Sequence, residues 1–353
     1  MIRTKTVSFN QAGLRLTVFL LFCCIYCCPP AHAFTFKVAT YNVENLFDAR
    51  TDGTEYPDYV PGGQTGWTKP MADRKAANIA KVLAALSAGI VCLQEVESER
   101  ALKLLLDQLQ KRNKHYPYHA IAQQKDVAVR CAVISQFPIT NTREIDPGAG
   151  LRAILEVTVI IRNQPLIIFV NHWKSKTGPE SRRVACAVAL KRRIDDIPQE
   201  TDFVLAGDFN ANYDEYRTFR NSQKLNDTGG ITGINHILGT LDGNRMITEH
   251  NLKNSGQGLY NLWLELPGTK RWSHNFFGKK GSLDSILLPP ALYDHQGISY
   301  VDDSFNRFAP DFLFHNRALF RWQRKGHGRG FHLGKGYSDH LPVFALFSTV
   351  SED

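Results

Sequence analysis

Six places in this 353-residue sequence put acidic, amide or imidazole side chains at or beside a short apolar run. Asn42 and Glu44 close the first run, Gln94 and Glu95 the second, and Asn171, His172, Trp173 and Lys174 another. Asp208 and Asn210 follow the next, within Gly207-Asp208-Phe209-Asn210. Asp284 lies inside Ser-Leu-Asp-Ser-Ile-Leu-Leu, and Ser338-Asp339-His340 precedes the last run. One Asp or Asn at a strand end is most often a turn former. Six such places point to a shared site, because ligands of sheet proteins gather beyond one set of strand ends. The residue types suit one chemistry. Oxygens from Glu95, Asp208, Asn210 and Asp339 suit a hard divalent cation such as Mg²⁺. Two His and a Lys can supply protons or positive charge to a phosphoryl group. The sequence carries no Gly-x-Ser-x-Gly elbow and no Walker loop, and two His are too few for a His-rich zinc site.

Positioning these groups requires alternating strands and helices. Phe36 to Val43 alternates apolar and polar residues as a strand does. A Gly-, Asp-, Pro- and Tyr-rich loop follows from Asp48 to Trp67, long enough to suggest a rim role. Pro70 opens a helix with Ala76, Ile79, Val82, Leu83 and Leu86 on its apolar face and Gly89 at its end. Ile90 to Leu93 is continuously apolar, as in a strand buried on both faces. Ser98 is placed to cap a second helix bearing Leu102, Leu105, Leu106 and Leu109. Strands are predicted at Val127–Ser135, Leu151–Ile161 and Leu166–Asn171, the last two joined by the turn signal Arg-Asn-Gln-Pro. A third helix runs from Pro179 to about Ile197, then a strand from Thr201 to Ala206. The pattern is weak from Tyr213 to Lys270, and late strands are predicted at Ser282–Leu288 and Leu341–Phe347. Helices alternating with strands, with hairpins between, predict an α/β fold with mixed sheets.

Composition bounds the class. The chain is 43% hydrophobic and 22% charged, which excludes a wholly disordered, collagenous or coiled-coil protein. Residues 1–33 read as a secretory signal: Arg3, Lys5 and Arg15, an apolar run from Leu16 to Cys28, then Ala31-His32-Ala33 as the cleavage site. Its removal lowers the net charge from +8 to +5 and the cysteines from seven to three, Cys92, Cys131 and Cys186. Three cysteines are no disulfide framework, and Cys92 and Cys131 sit in apolar runs as small hydrophobes do. No other apolar run reaches 18 residues, so no stable membrane insertion is expected after cleavage. Nothing calls for an oligomer, and a monomer is expected. A periplasmic or secreted location follows from the signal.

Thr40-Tyr-Asn-Val-Glu-Asn-Leu-Phe-Asp48, Leu93-Gln-Glu-Val96, Asn171-His-Trp-Lys-Ser-Lys176, Gly207-Asp-Phe-Asn210, Leu283-Asp284 and Tyr337-Ser-Asp-His-Leu-Pro-Val343 occur in that order. Together they resemble the signature blocks of the endonuclease/exonuclease/phosphatase superfamily, its secreted bacterial nuclease-like members most of all. The blocks span nearly the whole chain after the signal. The resemblance implies a four-layer α/β sandwich, two mixed β-sheets face to face with helices outside, and one catalytic domain over residues 34–353. It implies a Mg²⁺-dependent phosphodiester hydrolase, with Mn²⁺ or Ca²⁺ as the other candidate ions. Glu95 would be the principal metal ligand, with Asn42 and Asp339 close by and Glu44 in support. Asp208 would orient or deprotonate water, and Asn210 would hold the phosphate or that water. His340, paired with Asp284, would donate to the phosphoryl oxygen, and His172 would make a second phosphate contact.

Two basic features suggest a polyanionic substrate. Lys174, Lys176, Arg182 and Arg183 flank His172 and open a helix, so Lys174 and one of the arginines are expected on phosphate. Asn306 to Lys335 carries seven Arg or Lys against one acid, interleaved with Phe308, Phe312, Phe314, Phe320, Trp322 and Phe331. That mixture suits a nucleic-acid backbone with stacked bases, and equally a packed insertion with a basic edge. A secreted nuclease is the favoured reading. A phosphoesterase of sphingomyelinase or inositol-phosphate type is the alternative, though no isolated exposed apolar hairpin stands out for a membrane. A non-catalytic binding module ranks third.

Overall fold

In a computed structural model, which describes residues 33–219, 222–328 and 330–349, the apolar runs become neighbouring strands of two large sheets. The elements come in the order β1 (Thr35–Leu46), α1 (Lys69–Leu86), β2 (Ile90–Val96), α2 (Glu99–Gln110), β3 (Tyr118–Ile121), β4 (Arg130–Ser135), β5 (Ile139–Ile145), β6 (Ile154–Ile161), β7 (Gln164–His172), α3 (Glu180–Asp195) and β8 (Phe203–Asp208). The first sheet runs Ile298–Tyr300, Val343–Thr349, β1, β2, β4, β3, and the second Tyr260–Asn261, Asp284–Leu288, β8, β7, β6, β5. Each sheet holds one parallel pair, β1 with β2 and β7 with β8, and a helix makes each crossover. The other strand neighbours are antiparallel, so both sheets are mixed.

Period-two alternation assigns each strand residue to a layer. Val38, Cys92 and Val133 of the first sheet meet Val157, Ile168, Val204 and Ile286 of the second in the core between the sheets. Their neighbours Ala39, Tyr41, Val91 and Leu93 face the other way, onto Ile79 and Leu83 of α1 and Leu102 and Leu105 of α2. Phe169 and Leu205 of the second sheet pack outward on Cys186 and Leu190 of α3. The result is the expected four-layer sandwich. Each buried Leu, Ile or Val contributes about 1.5–3 kcal/mol to holding the layers together.

Local signals behave as their chemistry dictates, with some differences. Ser98 accepts the Ala101 N–H at 3.1 Å and caps α2. Helix α1 ends at Leu86, three residues before the expected Gly89, with Ser87 left-handed at φ +51 and its N–H on Leu83 O. The β6–β7 turn is Arg162-Asn163, both at positive φ (50° and 68°), as a two-residue hairpin between twisted strands requires. Strands β3 and β5 give no apolar alternation: of their residues only Ile121 is buried, and most of the rest are exposed. The 48–67 loop is packed rather than free, with Tyr59 and Trp67 against Phe47 and Trp322. Cys92, Cys131 and Cys186 are buried free thiols. Ala33–Val350 forms one compact unit. The expected signal, apart from its last residue, lies outside the described residues. Among the described residues no helix is long and apolar enough to cross a membrane.

Candidate active site

Strand direction brings the six polar places to one end of the sandwich. Parallel β1 and β2 set Asn42 opposite Gln94. Parallel β7 and β8 set His172 opposite Asp208, and the antiparallel Asp284–Leu288 strand begins where β8 ends, with Asp284 opposite Asp208. His172, Asp208 and Asp284 therefore stand in one row across three strands. Val343–Thr349 pairs antiparallel with β1, Val343 opposite Thr40, so Asp339 and His340 just before it arrive at the same end. Gly207 makes the close approach of β7 and β8 feasible. Its φ is +143°, and a Cβ there would lie 2.1 Å from Asn171 O. Glu44, Asn45, Glu95 and Asn210 all hold left-handed backbone, at φ 51°, 63°, 66° and 49°. For residues other than Gly this is uncommon, and such strain gathers at functional sites.

The side chains form one connected array. Asn42 Nδ2 donates to Glu95 Oε1 and Asp208 Oδ2, both at 3.0 Å. Asn45 N donates to Glu95 Oε2 at 2.9 Å. Asp208 also accepts from Asn210 N at 2.9 Å and from Asn210 Nδ2 at 3.2 Å. His340 Nδ1 lies 2.7 Å from Asp284 Oδ2, which Ser273 Oγ also engages at 2.6 Å. His340 Nε2 thereby points to Asp208 Oδ2 and Asp339 Oδ1, each 4.0 Å away. His172 Nε2 faces Glu95 Oε1 and Asp208 Oδ2 at 3.7 and 3.8 Å, too long for hydrogen bonds and open to an intervening ligand atom.

Burial and charge set the protonation states. Burial lowers the His340 pKa, but Asp284, Asp208 and Asp339 outweigh it and hold the imidazole well above its ordinary range. Burial pushes the Asp208 carboxyl up to about 7, opposed by His340 and reinforced by Asp284. His172 goes the other way: burial, then Arg152 and His340, hold it well below the usual histidine value. His340 is thus the cationic imidazole of the site and His172 the neutral one.

The array lines a cleft of about 710 Å³ that also receives Arg152, Lys176, Lys279 and Lys280. Lys174 and the two arginines offered as phosphate contacts do not line this cleft. Arg183 is fully buried, its Nε 2.6 Å from Glu180 Oε2 and its Nη1 on the carbonyls of Lys174, Ser175 and Gly178. Arg182 donates to Ala149 O, and the stem of Lys174 packs on Gly178. Arg183 thus braces the loop before α3, while Lys176 of the same basic run lines the cleft with its Nζ 2.7 Å from Glu215 Oε2. Sequence reasoning missed Arg152, Lys279, Lys280 and His274. His274 bridges to His340 in an isolated β-pair with ring centroids 4.5 Å apart, and burial with His340 brings its pKa to about 4. The Lys-Lys pair inside Phe-Phe-Gly-Lys-Lys-Gly was the available signal. Of the two readings of Asn306–Lys335, the aromatics follow the packed insertion, Phe331 excepted, which is 58% exposed. Phe308, Phe312, Phe314 and Phe320 pack on the helix-facing core, and Trp322 is buried. The segment does reach the site through Arg321, whose Nε donates to Glu44 Oε1 at 2.9 Å and whose Nη2 lies 3.1 Å from Asp339 Oδ2.

Among the described residues, the acidic and imidazole groups of the site that lie close enough together to share an ion are Asp208–Asp284–His340 and His274–Asp339–His340. Glu95 and Asp339 both line the cleft, and their carboxylate oxygens keep lone pairs beyond the bonds they already accept. Asn42 and Glu44 fit less well. The Asn42 oxygen takes the Glu44 N–H at 3.0 Å while its nitrogen spans two carboxylates. Both Glu44 oxygens are engaged, one by Arg321 and the other by Trp322 N at 3.1 Å. Asn42 acts as a spacer between Glu95 and Asp208, and Glu44 anchors the Arg321 segment.

Two facing mixed sheets with paired His–Asp and clustered carboxylates at one set of strand ends define an α/β sandwich with a strand-end acidic site. The chain belongs to the endonuclease/exonuclease/phosphatase family, whose model matches residues 37–230. Solved structures share the fold. A humanized D. rerio TDP2 carrying 14 mutations superposes with a TM-score of 0.54 at 15% identity, over 89% of this chain and 99% of that one. D. rerio TDP2 in complex with a single-strand DNA product gives 0.51 at 14% identity, over 89% and 99%. Truncated Caenorhabditis elegans TDP2 gives 0.51 at 15% identity, over 89% and 98%. No curated protein matches the chain.

Proposed function

We propose that the protein is a secreted, divalent-metal-dependent phosphodiesterase that hydrolyses nucleic acid. The observation that carries this reading is the row His172–Asp208–Asp284, completed by His340, at the floor of a cleft rimmed by four cations. Phosphodiester cleavage needs an oriented nucleophile, neutralised phosphate charge and a stabilised oxyanion. Asp208 has its carboxylate fixed by Asn42 and Asn210 and its pKa close to neutrality, which suits the group that orients and deprotonates water. His340, held cationic by Asp284, donates from Nε2 to a phosphoryl oxygen. Neutral His172 donates from its Nε2 on the other side of Asp208. Arg152, Lys279 and Lys280 attract the polyanion. A divalent ion held by Glu95 and Asp339 supplies Lewis-acid neutralisation of phosphate charge when bound. Export rests on the signal pattern of residues 1–33. The fold likeness to TDP2, solved with a single-strand DNA product, agrees with a nucleic-acid substrate.

The test is incubation of the purified protein with single-stranded DNA, plasmid and RNA, in Mg²⁺ or EDTA, beside Asp208→Ala. Cleavage that needs both metal and Asp208 is expected. A folded protein inert on all three polymers overturns the nucleic-acid assignment, and hydrolysis of sphingomyelin or inositol phosphates instead would replace it.

A further inference from the structure

A short hairpin, His274–Phe276 with Lys279–Gly281, stands at the rim of the cleft. Its turn is Phe277-Gly278, both at positive φ (48° and 84°). The geometry demands such backbone, but Phe has no side-chain hydrogen bond to favour it, and Asn is the usual occupant. Phe277 is 92% exposed and Phe276 56%. The two rings meet edge to face at 4.6 Å, and Phe276 lies 14° from the plane of His274, which in turn meets His340. A series of rings thus leads from the cationic imidazole to solvent.

The hairpin also divides two cavities. Phe276 and Asn45 line both the cleft and a second cavity of about 570 Å³, whose other walls include Phe277, Tyr59, Arg321 and Gln323. Lys279 and Lys280 face the first cavity and Arg321 the second. Lysine charge therefore lies on the cleft side of an aromatic divider, and Arg321, already paired with Glu44 and Asp339, on the other, beside the Glu95 carboxylate that Asn45 holds.

We propose that the Phe276–Lys280 hairpin is a stacking platform that selects single-stranded nucleic acid. It rests on the phosphodiesterase reading above. The base next to the scissile phosphate stacks on Phe277, Lys279 and Lys280 hold the phosphates on the cleft side, and Arg321 meets the backbone entering the second cavity. A single strand offers free base faces, whereas a duplex has already stacked its own. A lipid surface fits less well. The Phe276 ring is turned to the two cavities, and Phe277 alone is a small apolar wedge for an interface.

The test is fluorescence anisotropy in EDTA, so that nothing is cleaved, with a labelled 12-mer as single strand and as duplex, and sedimentation with phosphatidylcholine/phosphatidylglycerol vesicles. Single-strand affinity should fall about tenfold in Phe277→Ala and return in Phe277→Trp, the size of one lost base stack. The Lys279→Ala/Lys280→Ala variant should reduce the salt slope by about 1.4, for two phosphates at roughly 0.7 each. Wild-type affinity for Phe277→Ala, or Phe277-dependent sedimentation with vesicles, overturns the platform. Metal-dependent cleavage with no Phe277 effect sinks the platform and leaves the phosphodiesterase reading standing. Phe277-dependent binding without any cleavage supports the platform and sinks that reading.

Discussion

Gly207→Ala probes the backbone that assembles the site. The added Cβ would lie 2.1 Å from Asn171 O and 2.7 Å from Asn171 N, where ordinary contact begins near 3.4 Å. The ends of β7 and β8 must therefore part by about 1 Å, more than close-packed strands absorb without loss. Forced overpacking costs about 1–3 kcal/mol. Holding a non-glycine residue at φ +143° adds about 1–3 kcal/mol. A total of about 4 kcal/mol lowers Tm by roughly 8 °C, at about 2 °C per kcal/mol for a domain of this size. His172 and Asp208 face each other at this point of the ladder, so the displacement also separates two proposed catalytic groups. A shift of about 1 Å can cost about 100-fold in rate. Calorimetry gives the first number and metal-dependent hydrolysis of a labelled oligonucleotide the second. Gly268→Ala is the control, because a Cβ there meets nothing within 4 Å. A Gly207→Ala protein melting within 2 °C of the Gly268→Ala control would refute the close approach and the reasoning built on it.

Arg183→Met should lower Tm, because it strands Glu180 in a buried environment. Loss of one partner of a buried pair costs about 3–5 kcal/mol. Arg152→Gln, at the cleft wall, should instead weaken oligonucleotide binding with little change in Tm, and the two assays together separate loop brace from phosphate contact. Glu265→Gln should flatten part of the pH dependence of stability. Burial pushes the Glu265 carboxyl up to about 7 in the fold, against about 4.3 unfolded, so its contribution is complete below pH ~4 and is lost as pH rises through ~7. The variant should melt above wild type at pH 8 and level with it at pH 4, as read by scanning fluorimetry; a pH-independent difference would contradict the assignment.

What was legible in the sequence was local and periodic. Ile90–Leu93 announces a strand buried on both faces because every residue is apolar, and Asp208 and Asn210 announce a strand end because polar groups follow an apolar run; that only glycine fits at 207 beside Asn171 appears in the fold. Parallel pairing and antiparallel return then follow from topology, and they carry Asn42, Glu95, His172, Asp208, Asp284 and His340 to one end. What was not legible depends on long-range packing. Arg183 looks like a phosphate contact until its pairing with Glu180 and three loop carbonyls is seen. The phenylalanines from 308 to 320 suit base stacking as well as core, and only the helix face they meet decides between the two. Lys279 and Lys280 carry no signal of direction until the hairpin turns them toward a cleft whose walls come from as far away in sequence as Glu95, His172 and His340.

The site is costly to the fold, and this bears on its role. Among the described residues His172 Nδ1 and Asp284 Oδ1 are buried without hydrogen-bond partners, at about 1–3 kcal/mol each. Glu44 and Glu95 hold left-handed backbone, again at about 1–3 kcal/mol each. Asp284 opposes Asp208 in the same ladder and raises the cost of ionising it. None of these features stabilises a strand end. An amide at position 208 would remove the repulsion from Asp284, and an ordinary turn at Glu95 its left-handed backbone. Their concentration at one end of the two sheets, with the opposing cost carried by three separate apolar cores, is what a preorganised anion-handling site requires: charges and donors fixed in advance of the substrate whose charge they will balance.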